Sequence, residues 1–404
     1  MRLVSLTKLF VLASLVAGAA IVACSDDENE RVATRGDGGV DAGEGGTPNT
    51  LACGVPIPAT YDSASFAANA KEELDLKEKV LAIGDKMKTA EGPTPLTVTT
   101  ADLNALFTAG VPSLRTIATA YAQATVDNYF VQFGDSATKT WKPEDVEADG
   151  GDPDAGDDAG ADGGVPSGGK YANASIVNAV GVDLREASEK VLINGSLYNY
   201  ALAISTGAIT EAAVDRLLAL YGATPALLNA TDGDAGADAN ELVAEYASKR
   251  DSKMGAPGSY RKIRTALLVM KAAAANGDKC RTDFDGALKI FFLEWEKASF
   301  GTVIYYLNQA ATYATTIPAN GQLALHAYGE ALGFAQSMKG IPQDRRKITD
   351  VQIDAILERI GATTPYRLVT RTGERVVAFN TAFQEIGAIY GMTQTEIEDA
   401  KKAY

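Results

Sequence analysis

The sequence predicts an all-α protein built as a bundle of many helices. Three observations favour this fold class: apolar residues recur at helical spacing in stretch after stretch, capping residues and terminal glycines stand where helix ends need them, and alternating strand patterns are nearly absent. The run PLTVTT comes nearest to a strand pattern and is too short to define a sheet. A hydrophobic content of 46% is ample for a large core.

The first 23 residues have the pattern of a lipoprotein signal peptide. Arg2 and Lys8 accompany an apolar run that ends in the sequence IVAC at 21–24. This is a lipobox, which bacterial processing cleaves before the cysteine while attaching fatty acids such as palmitate. We therefore predict a signal peptide over 1–23 and lipidation of Cys24. The alternative is an ordinary signal peptide with a chance cysteine.

The residues after the lipobox favour the outer membrane. Ser25 resembles outer-membrane sorting signals, because inner-membrane retention usually shows aspartate at that position. The acidic run at 26–30 resembles signals that carry lipoproteins to the outer cell surface, although acidic tethers are often only solvated linkers. We expect the protein to face the periplasm or the cell surface.

The charge balance excludes one class of partner. The chain carries a formal net charge of −15, and removal of the signal peptide takes away only basic charges, those of Arg2 and Lys8. An acidic surface repels phosphate backbones, so we expect no nucleic-acid binding. We expect the lipid, and not the protein surface, to hold the chain to the membrane.

Two cysteines, Cys53 and Cys280, remain once Cys24 carries the lipid. An even number of cysteines in an oxidising compartment predicts a Cys53–Cys280 disulfide, with two separate thiols as the alternative.

Three segments are rich in aspartate, alanine and glycine and are predicted to be disordered, because they bury too little apolar area to offset chain entropy. One is the tether over 24–50, and the others are inserts at about 147–169 and 231–239. A calcium loop beginning at Asp232 fits poorly, since glutamate is missing from its twelfth position. The folded region is predicted as one domain over 51–404, and the only candidate division is the 147–169 insert.

Helical spacing runs through the whole folded region. The predicted helical stretches are 65–90, 100–110, 113–133, 183–205, 210–222, 240–250, 259–277, 283–314, 321–340, 349–361 and 375–391.

The only histidine of the chain, His326, is four residues before Glu330. Residues at i and i+4 share one face of a helix. These two are the only acidic or basic side chains between Gly321 and Met338, which predicts a mostly buried helix in which His326 is the nearest partner of the carboxylate. Gly329, with the glycine four residues later, would let a neighbouring helix come close.

Glu296 stands on an apolar face of the preceding helix, and we expect it to meet His326 and Glu330 in the bundle core. One histidine with two carboxylates can bind a divalent metal such as iron, or act as general acid and base. The plainer alternative is a buried hydrogen-bond network that fixes helix register. A Cys₂His₂ zinc site is excluded by the residue count, and no GxSxG motif supports a serine hydrolase triad.

Four stretches, in this order, resemble an uncharacterised family of Gram-negative lipoproteins, the domain-of-unknown-function family numbered 4856. They are AANAKEELDLKEKVLAIGDKMKTA, SEKVLINGSLYNYAL, LEWEKASFGTVIYYL and LALHAYGEALGFAQSM. The motif positions of the resemblance are Trp295, Glu296, Phe300-Gly301, His326-Ala327, Glu330 and Gly333-Phe334.

The resembled family has no assigned activity. Its layout is distantly similar to imelysin-like helical lipoproteins, which are linked to iron uptake and carry a His-x-x-Glu motif on a core helix. The spacing here is His-x-x-x-Glu, which keeps the pair on one face but weakens any transfer of metal ligation. The leading hypothesis is a non-enzymatic outer-membrane lipoprotein that binds a small ligand or a surface protein partner. The alternatives are a metal-binding protein of iron acquisition and a hydrolase that uses Glu296 or His326 as base.

Overall fold

The predicted helical stretches form helices, and the protein is an all-α bundle with very little strand. The computed structural model describes residues 50–92, 94–148, 167–226, 240–251 and 258–402. Outside them lie the predicted signal peptide, Cys24, nearly all of the tether and the 231–239 insert.

In the first part of the chain, the helices are α1 (Phe66–Asn69), α2 (Lys71–Lys88), α3 (Thr100–Thr108), α4 (Leu114–Ile117), α5 (Ala120–Ser136), α6 (Pro143–Ala148), α7 (Leu184–Leu192), α8 (Asn199–Ser205) and α9 (Glu211–Tyr221). The second part contains α10 (Leu242–Asp251), α11 (Ser259–Ala274), α12 (Arg281–Ala314), α13 (Gly321–Ser337), α14 (Asp350–Ile360), α15 (Arg367–Thr370), α16 (Thr372–Tyr390) and α17 (Gln394–Ala400).

Local sequence accounts for many helix ends. Thr349 begins α14 with a capping box, in which its hydroxyl accepts from the Gln352 amide while the Gln352 side chain accepts from the Thr349 amide. Gly361 ends the same helix with φ near 76°, a left-handed conformation that glycine adopts without strain. Such signals are contained within a few residues, which is why the sequence predicts them well.

The predicted 113–133 helix divides into α4 and α5 at Thr119, which hydrogen-bonds both to Gly195, far along the chain, and to the first turn of α5. Its backbone amide donates to Gly195 O at 2.9 Å, and its side chain accepts from the Ala122 amide at the start of α5. A long-range contact therefore breaks a helix that local spacing alone would continue.

A π-helical turn, Ile193–Tyr198, connects α7 to α8 and is buried throughout. Within it, Asn194 accepts from Trp295 Nε1 at 3.0 Å and donates to Ser337 Oγ at 2.8 Å. The π turn thus places the Asn194 side-chain amide in the core, where its hydrogen bonds link α7 to α12 and α13. Single π turns inside helices are rare and often mark functional regions.

The core is organised by α12, which packs along α11 and α13, while α13 packs against α7. Trp295 of α12 is fully buried and contacts the rings of Tyr198, Tyr221 and Phe291 in edge-to-face arrangements. The described residues belong to one compact unit. Within the described residues, none of the helices combines the length and the apolar character needed to cross a membrane.

A small hairpin, β1 (Gly169–Tyr171) and β2 (Ser175–Val177), is absent from the sequence prediction. Strands of three residues are too short for an alternating pattern to emerge. Of the insert predicted at about 147–169, residues 147–148 end α6 and residue 169 begins β1, while 149–166 lie outside the described residues.

Cys53 and Cys280 form the predicted disulfide, with their Cα atoms 5.3 Å apart. Cys280 stands immediately before α12, and Asp283 in the first turn of that helix accepts from the backbone amides of Ala52 and Cys53. The start of the folded chain is therefore fixed to the central helix by one covalent bond and two hydrogen bonds.

We predict that reducing this disulfide lowers the melting temperature. The two cysteines are 227 residues apart, and in the chain-entropy model closing so long a loop contributes at most about 5 kcal/mol. Thermal unfolding with and without reductant measures the effect. The matched control is Cys280→Ser, whose lower melting temperature should not respond to reductant. An unchanged wild-type melting temperature, with both thiols then open to alkylation, would contradict the prediction.

Candidate functional site

Two glycines of α13 allow α7 to cross it at very close range. A Cβ atom added to Gly329 would lie 2.8 Å from Asp183 Cβ, and one added to Gly333 would lie 2.7 Å from Lys190 Cβ. Real Cβ atoms do not approach other atoms so closely, so only glycine fits at these positions. The expectation that a neighbouring helix comes close here is confirmed, and that neighbour is α7.

The crossing places His326 against the start of α7. Asp183 caps α7 by accepting from the Glu186 amide, and its other carboxylate oxygen lies 3.2 Å from His326 Nδ1. The second ring nitrogen, Nε2, lies 3.5 Å from Glu330 Oε1. The predicted His326–Glu330 pair is therefore real, but the imidazole is shared with Asp183.

Glu186 and Lys190 extend the cluster along α7. The Glu186 carboxylate lies 3.7 Å from His326 Nδ1, 3.2 Å from Lys190 Nζ and beside the Arg185 guanidinium. The Lys190 ammonium also lies 2.6 Å from Glu189 and 3.7 Å from Glu330. A lysine thus occupies a position surrounded by three carboxylates.

Arg185 joins the cluster to α2. Its Nε lies 3.2 and 3.1 Å from the two carboxylate oxygens of Glu91, three residues after the end of α2. Gly84 of α2 has no side chain to obstruct the Glu189 carboxylate. We call the whole assembly the α7–α13 charge cluster; its members are Glu91, Asp183, Arg185, Glu186, Glu189, Lys190, His326 and Glu330.

Burial and neighbouring charge act in opposite directions on these groups. Burial lowers the pKa of His326, but the hydrogen bond to Asp183 and the surrounding carboxylates outweigh it and raise that pKa to about 9. Burial would raise the pKa of Asp183 and of Glu186, yet their cationic neighbours hold both below the ordinary value. At neutral pH the imidazole therefore carries a proton and a positive charge.

Two carboxyls of the cluster behave differently. Burial raises the pKa of Glu330 to about 7 despite the attraction of Lys190 and His326. Burial likewise raises the pKa of Glu91 to about 7, with Asp183 adding repulsion and Arg185 opposing it. The cluster therefore exchanges protons near neutral pH.

Glu296 does not join this cluster, which corrects the expectation of a site shared with His326 and Glu330. Its carboxylate is 2% exposed and accepts from the backbone amides of Lys347 and Ile348 and from the hydroxyls of Tyr198 and Tyr390. These partners come from the segment after α13, from the π turn and from α16. The helical position placed Glu296 in the core, but the side of α12 on which it lies faces those elements.

The sequence reasoning missed Asp183, Glu186 and Lys190. Their spacing of three and four residues places them on one face of α7, and that face is buried. The sequence carries two features of this arrangement: a strongly charged face on α7 and small residues on α13 that permit close packing. Charged helix faces usually lie in solvent, so these features do not by themselves predict a buried cluster.

Among the described residues, one ligand atom each from Glu186, His326 and Glu330 lie within 4.8 Å of one another. Cys53, Cys280 and Asp283 are equally close, but these sulfurs form the disulfide, and the Asp283 carboxylate accepts backbone hydrogen bonds.

No family model, no curated protein and no solved structure matches the chain, so the resemblance to the lipoprotein family and to imelysin-like proteins stays a prediction.

We predict that Gly333→Ala destabilises the protein by about 1–3 kcal/mol, the usual range for overpacking, because its new methyl group would force α7 away from α13. The matched control is Gly286→Ala in α12, where an added Cβ meets no atom within 4 Å. That change should be neutral or stabilising by up to about 1 kcal/mol. Urea denaturation of both variants makes the comparison, and equal effects would refute the close-crossing account.

We also predict that His326 makes stability fall as pH rises. Its pKa is about 9 in the folded chain and near 6.5 in the unfolded chain, so folding strengthens proton binding. The contribution is complete below pH 6.5, declines between pH 6.5 and 9, and is at most about 3 kcal/mol. Glu91 and Glu330 act with the same sign at lower pH.

The measurement is urea denaturation of the wild type and of His326→Gln at pH 6 and pH 9, with a chelator present so that no divalent ion competes. The difference between the two proteins removes the contribution of groups outside the α7–α13 charge cluster. Identical pH dependence in both would show that the His326 proton does not stabilise the fold.

Proposed function

We propose that this chain is a non-enzymatic, lipid-anchored binding protein of the outer membrane. The observation that carries the proposal is the placement of the imidazole, whose Nδ1 lies 3.2 Å from Asp183 and whose Nε2 lies 3.5 Å from Glu330. The carboxylates on both sides raise the pKa of the imidazole to about 9, and a protonated imidazole suits electrostatic binding better than proton abstraction.

The hydrolase alternative has the least support. A general base must be free to take a proton near neutral pH, and His326 already holds one. The Glu296 carboxylate accepts four hydrogen bonds from the protein itself and is 2% exposed. A substrate would have to displace the segment after α13 to reach it.

A protein partner is favoured over a small organic ligand. The cavity between α10, α11, α12 and α17, lined by Arg250, Asp251, Lys297 and Glu396 among others, has a volume of about 40 Å³. Pockets that enclose organic ligands usually measure about 300–1,000 Å³, so this cavity has room for water at most. The acidic surface favours a partner with a basic face.

Metal binding in iron acquisition is the second candidate. It is favoured by the proximity of Glu186, His326 and Glu330, which present two carboxylates and an imidazole within 4.8 Å of one another. This ligand set differs from the predicted one, because Glu186 stands in the place expected for Glu296.

We predict that Cys24→Ser abolishes fatty-acid labelling and leaves the uncleaved precursor, since only the cysteine sulfur can accept the lipid. Metabolic labelling and membrane fractionation measure both effects. As a matched control, Ser25→Ala should be labelled and sorted normally, whereas Ser25→Asp should shift the protein to the inner membrane. Fatty-acid labelling of the Cys24→Ser variant would show that the lipoprotein assignment is wrong.

A further inference from the structure

We infer that Asn276 and Gly277 form a self-modification site, at which the asparagine side chain deamidates spontaneously with water as the only other reactant. The inference does not rest on the proposed function. The dipeptide Asn-Gly occurs three times in the chain, at 194–195, 276–277 and 320–321. The fold places the three copies in different surroundings, and these surroundings determine which copy reacts.

The reaction joins two neighbouring groups of the chain. The Gly277 backbone nitrogen attacks the side-chain carbonyl carbon of Asn276, Cγ. A bond forms between that nitrogen and Cγ, the bond from Cγ to Nδ2 breaks, and the amide proton leaves with Nδ2 as ammonia. Water then opens the five-membered succinimide at either carbonyl and gives aspartate or isoaspartate. Glycine favours the attack because it has no Cβ to shield its nitrogen.

The copy at 276–277 is accessible and weakly held. Asn276 is exposed and follows the end of α11, and its Nδ2 donates to Ala272 O at 2.9 Å. Among the described residues, no backbone carbonyl accepts from the Gly277 amide. A Cβ added to Gly277 would meet no atom within 4 Å. The Asn276 side chain can therefore reach the Gly277 nitrogen without displacing a neighbouring element.

The copy at 320–321 is more restrained. The Gly321 amide donates to Pro318 O at 3.3 Å, and Asn320 Nδ2 donates to Thr316 Oγ1 at 2.8 Å. Gly321 is buried at the start of α13, where the Tyr171 hydroxyl lies so close that an added Cβ would clash with it. Ring closure here has to break both hydrogen bonds, one of them at the attacking nitrogen.

The copy at 194–195 is the most restrained, because it lies in the buried π turn. Asn194 is 0% exposed, and its Nδ2 donates to Ser299 Oγ and Ser337 Oγ at 3.1 and 2.8 Å. Gly195 packs closely against the Ala122 side chain. A succinimide at this position would require the core to open, because its reacting atoms cannot approach each other within the packed helices.

Deamidation at Asn276 would weaken the connection between α11 and the disulfide. The product has a carboxylate in place of the Nδ2 donor, so the Ala272 carbonyl in the last turn of α11 loses its partner. A negative charge at the C-terminal end of a helix is also unfavourable, because the helix dipole is negative there. Isoaspartate additionally inserts a methylene into the backbone between α11 and Cys280. The modified chain should therefore be less stable.

The test is peptide mapping by mass spectrometry of the oxidised full-length chain, aged at neutral pH in water enriched in oxygen-18. We expect Asn276 to convert about tenfold faster than Asn320, which corresponds to a barrier lower by about 1.4 kcal/mol. Each conversion should incorporate one oxygen atom from the solvent, and Asn194 should stay intact. The aged protein and the Asn276→Asp variant should both melt at a lower temperature than the fresh wild type.

The matched control is Asn276→Gln, which keeps an amide donor but would have to close a six-membered ring. It should show no conversion at 276 while Asn320 converts as in the wild type. In guanidinium chloride with reductant, all three copies should convert at similar rates, because their surroundings are removed. The inference is overturned if Asn276 of the folded chain stays intact, or if Asn320 or Asn194 converts first. A ranking that persists in the unfolded chain would assign the difference to flanking sequence and would also overturn it.

Discussion

The close crossing of α7 and α13 is the constraint on which the candidate site depends. It exists because Gly329 and Gly333 leave room for the backbone and Cβ atoms of α7. At that separation, polar side chains of the two helices meet directly, and a buried charge without a partner would be costly. The side chains of the charge cluster therefore have to balance one another within the interface.

The charges within the cluster are only partly balanced. Arg185 and Lys190 neutralise part of the carboxylate charge, and the protonated imidazole of His326 neutralises more. Buried ion networks are weak contributors to stability, because desolvation of the ions offsets most of their attraction. A network that places a histidine at its solvent side and leaves a carboxylate oxygen of Glu330 without a donor suits binding better than it suits stabilisation.

Glu296 and Glu330 are both buried glutamates, but their hydrogen bonding gives them different roles. Glu296 and Glu330 both lie on apolar faces of neighbouring core helices, yet Glu296 receives two backbone amides and two tyrosine hydroxyls. Its carboxylate accepts from the backbone amides of the segment after α13 and from the Tyr390 hydroxyl of α16, and so links that segment and α16 to α12. Its role is structural, because its hydrogen bonds are nearly complete, whereas those of Glu330 are not.

The sequence alone determined the helical class, many helix ends, the Cys53–Cys280 pairing and the shared face of His326 and Glu330. These features depend on interactions within about four residues, or on a count that leaves one pairing. Only the tertiary structure decided that α7 supplies the partners, that Glu296 lies elsewhere, and that a π turn directs Asn194 into the core. The reason is physical: helical spacing shows which residues share a face, but long-range packing selects the helix that this face contacts.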